Sequence, residues 1–425
     1  MMELVFTLKR TALLLLLTVP HILSTDDQLI EDQVGINPDL EFVHLYFGQW
    51  PVGIAVSANG RKFSCFTAGL DANNTNDGQN GAFQVAELTG FETETAYPSV
   101  EINNPPGGSI DFSTSPPVTK GLSNYLLGVM SVVIDFEDRL WVLDTGRVLL
   151  DNNMLPASPG GTKLISVDLA TDTVTRTYVF PTSVARPTSC FGDVRFDTQR
   201  GFAYITDSNA VFMNALVVLD LNTGESWRVL EKDRSVSPRY GYVPFVWGDS
   251  MYQVEYDASG TPIDATFMTF GVEGVALSPT LDTLYYSVLG DRFLFSVPTA
   301  ILRNRNSTLS EIASYVRNLG EKGFSADIAT DSKGKVYGGH AEQDGVFVFD
   351  PETQIVALQV HDKRINFAYA FSVGTDGYLY FTVNQLNYLG VAYPGRGPLG
   401  VDRRQRPFAC FRIKLPGGAI KGPGS

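Results

Sequence analysis

The sequence predicts an all-β protein, a six-bladed β-propeller of four-stranded antiparallel blades. Three observations predict it. A short apolar strand, a polar turn and a second strand rich in aromatic residues recur six times. A further hairpin follows each copy. Helical periodicity is nearly absent, and 309–319 is the best stretch for a short helix. Units of about four strands that vary in length point to a closed ring, because no single unit can bury both of its faces.

The first strands of the copies begin in 52–56, 132–135, 194–197, 275–278, 328–331 and 371–374. Their partners are 62–66, 140–143, 203–206, 284–287, 335–338 and 379–382, each reached through a turn with glycine or polar residues where a hairpin needs them. The outer hairpins are clearest at 164–180, 216–230 and 346–360, and weaker at 82–97, 293–302 and 408–415. Spacing between the aromatic positions Trp141, Tyr204, Tyr285, Tyr337 and Tyr380 is uneven, so insertions separate the blades. Residues 41–47 are expected to close the ring as an added strand in the last blade. The domain assignment is a signal peptide over 1–24, one propeller over 25–416 and a flexible tail over 417–425.

The N-terminus reads as a targeting segment. Lys9 and Arg10 precede an apolar run, Pro20 breaks it, and the small residues Ser24 and Thr25 follow. Secretion is therefore expected. No later stretch reaches 18 consecutive apolar residues, so no membrane insertion is expected. Sequons at Asn73 and Asn306 agree with export and mark two candidate glycosylation sites. The 46 acidic residues against 32 basic ones give a net charge of −14. That balance argues against nucleic acid and polyanionic substrates as partners. Nothing in the sequence sets an oligomeric state.

Recognisable catalytic motifs are absent. There is no Gly-x-Ser-x-Gly elbow, no His-Glu-x-x-His and no phosphate loop. Gly395-Arg396-Gly397-Pro398-Leu399-Gly400 fits a dinucleotide fingerprint in letters only, since Pro398 and the lack of a following helix remove the geometry. Cys65, Cys190 and Cys410 are too far apart for a compact zinc site and read as buried small apolar residues, with one bridge possible. No cofactor is expected.

Residues 132–147 read VVIDFEDRLWVLDTGR, residues 163–181 read KLISVDLATDTVTRTYVFP, residues 272–279 read VEGVALSP, and residues 215–230 end in SWRVL. In this order the strings resemble the major royal jelly protein/yellow family over about 42–387. The resemblance implies a secreted six-bladed propeller with a ligand site at one mouth of its central channel. It also implies varied tasks: conversion of dopachrome-type quinones, binding of biogenic amines, and nutrient storage. It places the strings around Asp144 and Asn384 near the channel mouth.

Candidate site residues follow from position. Asp144, Thr145 and Arg147 end the second strand of one blade, Asp207 that of the next, His340 that of a later one and Asn384 that of the last. Glu273 and Asp327 sit just before or within inner strands. Asp144, Asp207, Glu273, Asp327 and Asn384 could hold an axial divalent ion, but capping of strand ends is the preferred reading and no metal is assigned. The aromatic insertion 240–270, with Tyr242 and Trp247, reads as a wall or lid. Two Pro/Gly-rich loops, 103–121 and 388–407, complete the rim.

The expected function is binding of a small planar, largely apolar molecule of quinone or quinone-methide type. A non-redox cyclisation or isomerisation follows, of hetero-Diels–Alder type as in natural-product pathways. Arg147, His340 and Asn384 are the candidate catalytic donors, and Asp144, Thr145, Asp207, Glu273, Asp327, Tyr242 and Trp247 the candidate ligand contacts. A biogenic-amine binder without catalysis is the alternative, and a storage or structural role the third.

Overall fold

The structure is a computed structural model that describes residues 35–209 and 212–424. The signal-peptide assignment lies outside the described residues. From Ile36 onward the chain forms one compact unit. Among the described residues are six four-stranded antiparallel sheets. The innermost strands are Ala55–Val56, Val129–Ile134, Phe191–Asp197, Val272–Leu277, Ile328–Thr330 and Ala368–Val373, and they neighbour one another in a closed cycle. The fold is a β-propeller, and its sheets are called blades 1 to 6 in that order.

Each blade runs outward by hairpins. In blade 2, Val129–Ile134 pairs with Leu140–Asp144, then Lys163–Asp168, then Thr173–Val179. The three inner strands are nearly all buried, and the outermost is exposed at every position but Tyr178. This gradient follows from stacking: inner strands are covered on both faces by neighbouring blades. Blade 6 is completed by Glu41–Tyr46, paired antiparallel with Phe408–Lys414. The N-terminal strand thus closes the ring, as the sequence predicts.

The recurring aromatic position has a physical cause. Asp135 ends the first strand of blade 2 and accepts from the backbone N–H of Glu137 and Arg139 through Oδ1. Its other oxygen accepts from Trp141 Nε1 at 2.8 Å. Asp331 does the same for Lys333, Lys335 and the Tyr337 hydroxyl (2.9 Å). In blade 6, Asp376 accepts from Tyr378 N–H and the Tyr380 hydroxyl (2.6 Å). One carboxylate therefore shapes the turn and fixes the ring that packs between blades.

Residues 416–424 differ from the flexible tail expected. They run across the mouth where first strands end. Ser332 N–H donates to Ile420 O, Lys421 N–H to Gly374 O and Leu277 N–H to Gly424 O. Lys421 is buried and donates to Ile134 O at 2.8 Å. Glycine and proline supply the turns that let this segment follow the underside of the ring.

Candidate functional site

The hub carries a polar plug. Arg195 of blade 3 reaches across the axis, donating to Asp193 (2.6 Å), Asp327 (3.2 Å) and Ile328 O (2.7 Å). Ser131 of blade 2 donates to Asp193, and Asp327 accepts from Phe371 N–H of blade 6. Burial, with the like charge of Asp193 beside it, raises the Asp327 pKa well above the usual carboxylate range. Lys421 seals the far end of the axial cavity, which has a volume of about 30 Å³. That is room for bound water and not for an organic guest.

Above the plug lies an apolar chamber of the same closed volume, about 30 Å³, so an organic guest enters it only as the side chains of its wall and roof move aside. Three residues separate plug from chamber and face both: Met130, Glu273 and Tyr369. Each sits at an irregularity between the first and second strands of its blade. Pairing shifts between Val129 and Ser131, between Val272 and Gly274, and between Ala368 and Phe371. A β-bulge turns the extra side chain out of strand alternation. Here the bulges aim these side chains at the axis. A fourth shift, between Phe191 and Val194, does the same for Asp193.

Glu273 is 5% exposed. The Tyr369 hydroxyl donates to its Oε1 at 3.3 Å, and the Ser208 hydroxyl is a further hydrogen-bond partner. Burial is the main cause that pushes its pKa up to about 7, the Asp193 charge adding to it. The carboxyl therefore exchanges its proton near neutral pH. Gly192 makes the room: a Cβ there would stand 2.8 Å from the Glu273 carboxyl atoms. Tyr369 is buried too, which raises its phenol pKa and keeps it a donor.

The chamber roof comes from the insertion and a rim loop. Met251, Met268 and Phe270 descend from the first, Val391 from the second and Leu386 from the turn that leads into it. The insertion hairpin Tyr252–Tyr256 with Pro262–Thr266 takes Ala392–Tyr393 as a third strand. Outside lies an open groove of about 510 Å³. Leu70, Cys190, Gln253, Phe270 and Val391 line both compartments and form the wall between them. Gln253 is held by Thr269, whose N–H and hydroxyl both donate to its Oε1. Methionine and glutamine are long, unbranched side chains, so this wall and roof can be displaced by a guest.

The other sequence candidates fall into distinct places. Asp144 is fully buried, paired with the equally buried Lys163 at 2.7 Å, and accepts from Leu127, Gly128 and Gly146 N–H. Asp207 accepts from Cys190 and Asn209 N–H and pairs with Arg228. Asn384 donates to Pro51 O and accepts from Leu386 N–H. These three clamp the segments entering and leaving blades, the capping role preferred above. Thr145 accepts from Phe191 N–H. Arg147 lines the groove, not the chamber.

His340 ends the second strand of blade 5 against Gly323, and burial with nearby Lys322 lowers its pKa to about 4. It does not border the chamber. Tyr242 is half-buried against Phe324, and Trp247 is an exposed hairpin tip with φ +53°. Of the insertion's aromatics, Phe270 alone reaches the chamber; Tyr240 is 89% exposed. Asn73 and Asn306 are both exposed. All three cysteines are free and buried, so the possible bridge is not formed. Among the described residues, no three His, Cys, Asp or Glu side chains are grouped to hold a metal ion. No helix among them is long and apolar enough to cross a membrane.

Fold and site together define a propeller with a plugged hub and an apolar chamber floored by one carboxyl group. Residues 127–390, more than half of the chain, match the major royal jelly protein family, and the chain belongs to that family. Protein yellow of Drosophila subobscura is 27% identical over 222 residues, covering 48% of this chain and 34% of that protein. Protein yellow of Drosophila erecta is 26% identical over 219 residues, covering 47% and 35%. The matched region is thus about a third of the length of these relatives. Among solved structures, a luciferin-regenerating enzyme superposes with a TM-score of 0.50 at 11% identity, covering 91% of this chain and 97% of that one. A putative gluconolactonase gives a TM-score of 0.50 at 10% identity, covering 91% and 94%. These two likenesses are of fold alone.

Proposed function

We propose that this chain is a secreted propeller that takes a small, planar, largely apolar molecule into the chamber over Glu273 and catalyses a non-redox cyclisation or isomerisation there. The observation that carries the reading is a carboxyl group with a pKa of about 7 on the floor of an apolar compartment, hydrogen-bonded by a tyrosine. Protonated Glu273 donates to a carbonyl oxygen on which negative charge builds, and Tyr369 supports it. A quinone or quinone methide has such an oxygen on a flat apolar frame. Holding reactive ends together contributes up to about 7–11 kcal/mol without any nucleophile, which suits a hetero-Diels–Alder-type closure. Glu273 and Tyr369 take over the donor role that the sequence suggested for Arg147, His340 and Asn384.

The test is to add the protein to an electrophilic quinone methide with a tethered alkene and follow rate and product stereochemistry. Acceleration and one dominant stereoisomer are expected, both lost in Glu273→Gln. An unchanged rate with racemic product overturns the reading. Binding of a biogenic amine without turnover is the second reading, favoured by the same carboxyl when ionised beside Phe270. Calorimetry distinguishes them: tight binding of an arylalkylamine with no turnover of the electrophile supports the amine reading.

A further inference from the structure

Two arginines are buried among the described residues, Arg195 and Arg147. Arg195 is neutralised by two carboxylates, Asp193 and Asp327. Arg147 has none within ion-pair distance. Its guanidinium donates to three backbone carbonyls instead: Leu155 O (2.9 Å), Thr188 O (2.9 Å) and Met154 O (2.8 Å). Those bonds engage three of the five N–H donors that a guanidinium carries. Burial without a carboxylate partner costs free energy, and it lowers the Arg147 pKa. This charge sits on a molecule of net charge −14, where carboxylates are plentiful. It lies in the wall of the open groove, which also shows Asn152, Asn153 and Asn209. The groove shares its inner wall with the chamber.

We infer that Arg147 is the recognition point for an anionic oxygen of the ligand, a carboxylate, phenolate or enolate, whose apolar ring enters the chamber. The missing counter-charge is supplied by the ligand. A carboxylate reaching the guanidinium from the groove meets a fixed fork already oriented by three carbonyls, so little side-chain entropy is lost on binding. The inference rests on the chamber being a ligand site, and it adds the charge of the ligand and its orientation, ring inward and anion outward.

The experiment uses two probes of the same shape, 2-naphthoate and methyl 2-naphthoate, titrated into the full chain at pH 6. At that pH the Glu273 carboxyl, with its pKa of about 7, is mostly protonated and does not repel the acid. Wild type is expected to bind the acid about tenfold more tightly than the ester, the value of one charge-assisted contact. Arg147→Met should abolish that preference and leave ester affinity intact. Because Arg147 also holds three carbonyls, Thr188→Asp is the second variant. It keeps the guanidinium, adds a competing carboxylate to the same groove lining, and should abolish the preference equally. Equal binding of both probes to wild type, or a preference that survives both substitutions, overturns the inference while leaving the chamber reading standing. Failure of both probes to bind overturns the two together.

Discussion

Tyr369 Oη lies 3.3 Å from Glu273 Oε1, and the two residues come from blades 6 and 4, which are not neighbours in the ring. A single hydrogen bond therefore spans the hub at the chamber floor. It gives Glu273 a partner without giving it a positive charge, so burial still dominates its titration.

The first prediction concerns that titration. The folded pKa of about 7 lies above the ordinary glutamate value of 4.5, so the native state holds a proton that the unfolded chain has released. This contribution to stability is full below about pH 4.5 and is lost as pH rises through 7. Between those limits it amounts to something on the order of 3 kcal/mol. Glu273→Gln cannot titrate. The difference in unfolding free energy between wild type and Glu273→Gln, followed by urea denaturation from pH 4 to 8, should therefore change by that amount, with the variant gaining on wild type as pH rises. A difference that stays flat across this range removes Glu273 as a shifted acid.

A second prediction reverses the role that position along the strands suggests for Asp144. The Asp144–Lys163 pair is wholly buried, and the same carboxylate receives three backbone N–H groups. Asp144→Ala leaves the Lys163 ammonium unpaired and should cost about 3–5 kcal/mol. Asn384→Ala, which loses only neutral hydrogen bonds, should cost about 1–3 kcal/mol. Both should act on thermal unfolding first, with ligand handling failing only where folding does. Normal melting combined with lost ligand binding would return these residues to the site.

The third prediction uses Cys190. It lines both chamber and groove, whereas Cys65 and Cys410 are buried in the blade core. Burial pushes its thiol up to about 12, so it is protonated at neutral pH and poorly nucleophilic. Under the proposed function, the quinone-like electrophile would thereby meet a thiol that resists alkylation. With iodoacetamide at pH 7.5, mass spectrometry should show slow modification, at Cys190 before the other two, accelerated when Gln253→Ala thins the wall. Rapid labelling, or Cys65 reacting first, contradicts the geometry.

Most of the blade plan was legible because it is written in local terms. Asp135, Asp331 and Asp376 each hold a turn and a ring within a few residues, so the turn–aromatic repeat is a sequence pattern as well as a structural one. The ring-closing strand 41–46 was legible as a short apolar-rich stretch, and it pairs antiparallel with 408–414. Glu273 was legible as a position and not as a centre. What makes it one is a bulge, and a bulge is a property of pairing between strands, invisible to alternation in either strand alone. Met130 and Tyr369 were missed on the same ground. Asp144, Asp207 and Asn384 drew attention because polar residues at strand ends look alike whether they face a ligand or a neighbouring backbone. Composition put the roof in aromatics, but Met251, Met268, Leu386 and Val391 make up most of it and Phe270 is its one aromatic, since the hairpin tip carries Trp247 away to solvent.

The last prediction concerns the chain's end. Lys421 closes the underside of the hub with a 2.8 Å bond to Ile134 O, and burial lowers its pKa to about 8. Gly424 O receives Leu277 N–H and the Thr330 hydroxyl, which ties this segment to blades 4 and 5. Ending the chain after Leu415 removes these bonds and opens the axial cavity to water from below. The loss should be on the order of 3 kcal/mol, the sum of a few net hydrogen bonds. Lys421→Met isolates the charge. The buried amine binds its proton less readily when folded than unfolded, so its destabilising effect fades as pH rises from about 8 toward the ordinary lysine value of 10.5. Lys421→Met should therefore be most stabilising relative to wild type below pH 8, offset by one lost bond to Ile134 O, and the advantage should shrink on moving to pH 10. Hydrogen exchange supplies the second readout: truncation should speed exchange at Leu277 and Ser332, whose N–H groups the segment receives, and leave Tyr369 and the chamber floor protected. Unchanged melting and unchanged exchange after truncation would mean that the segment does not seal the hub in solution.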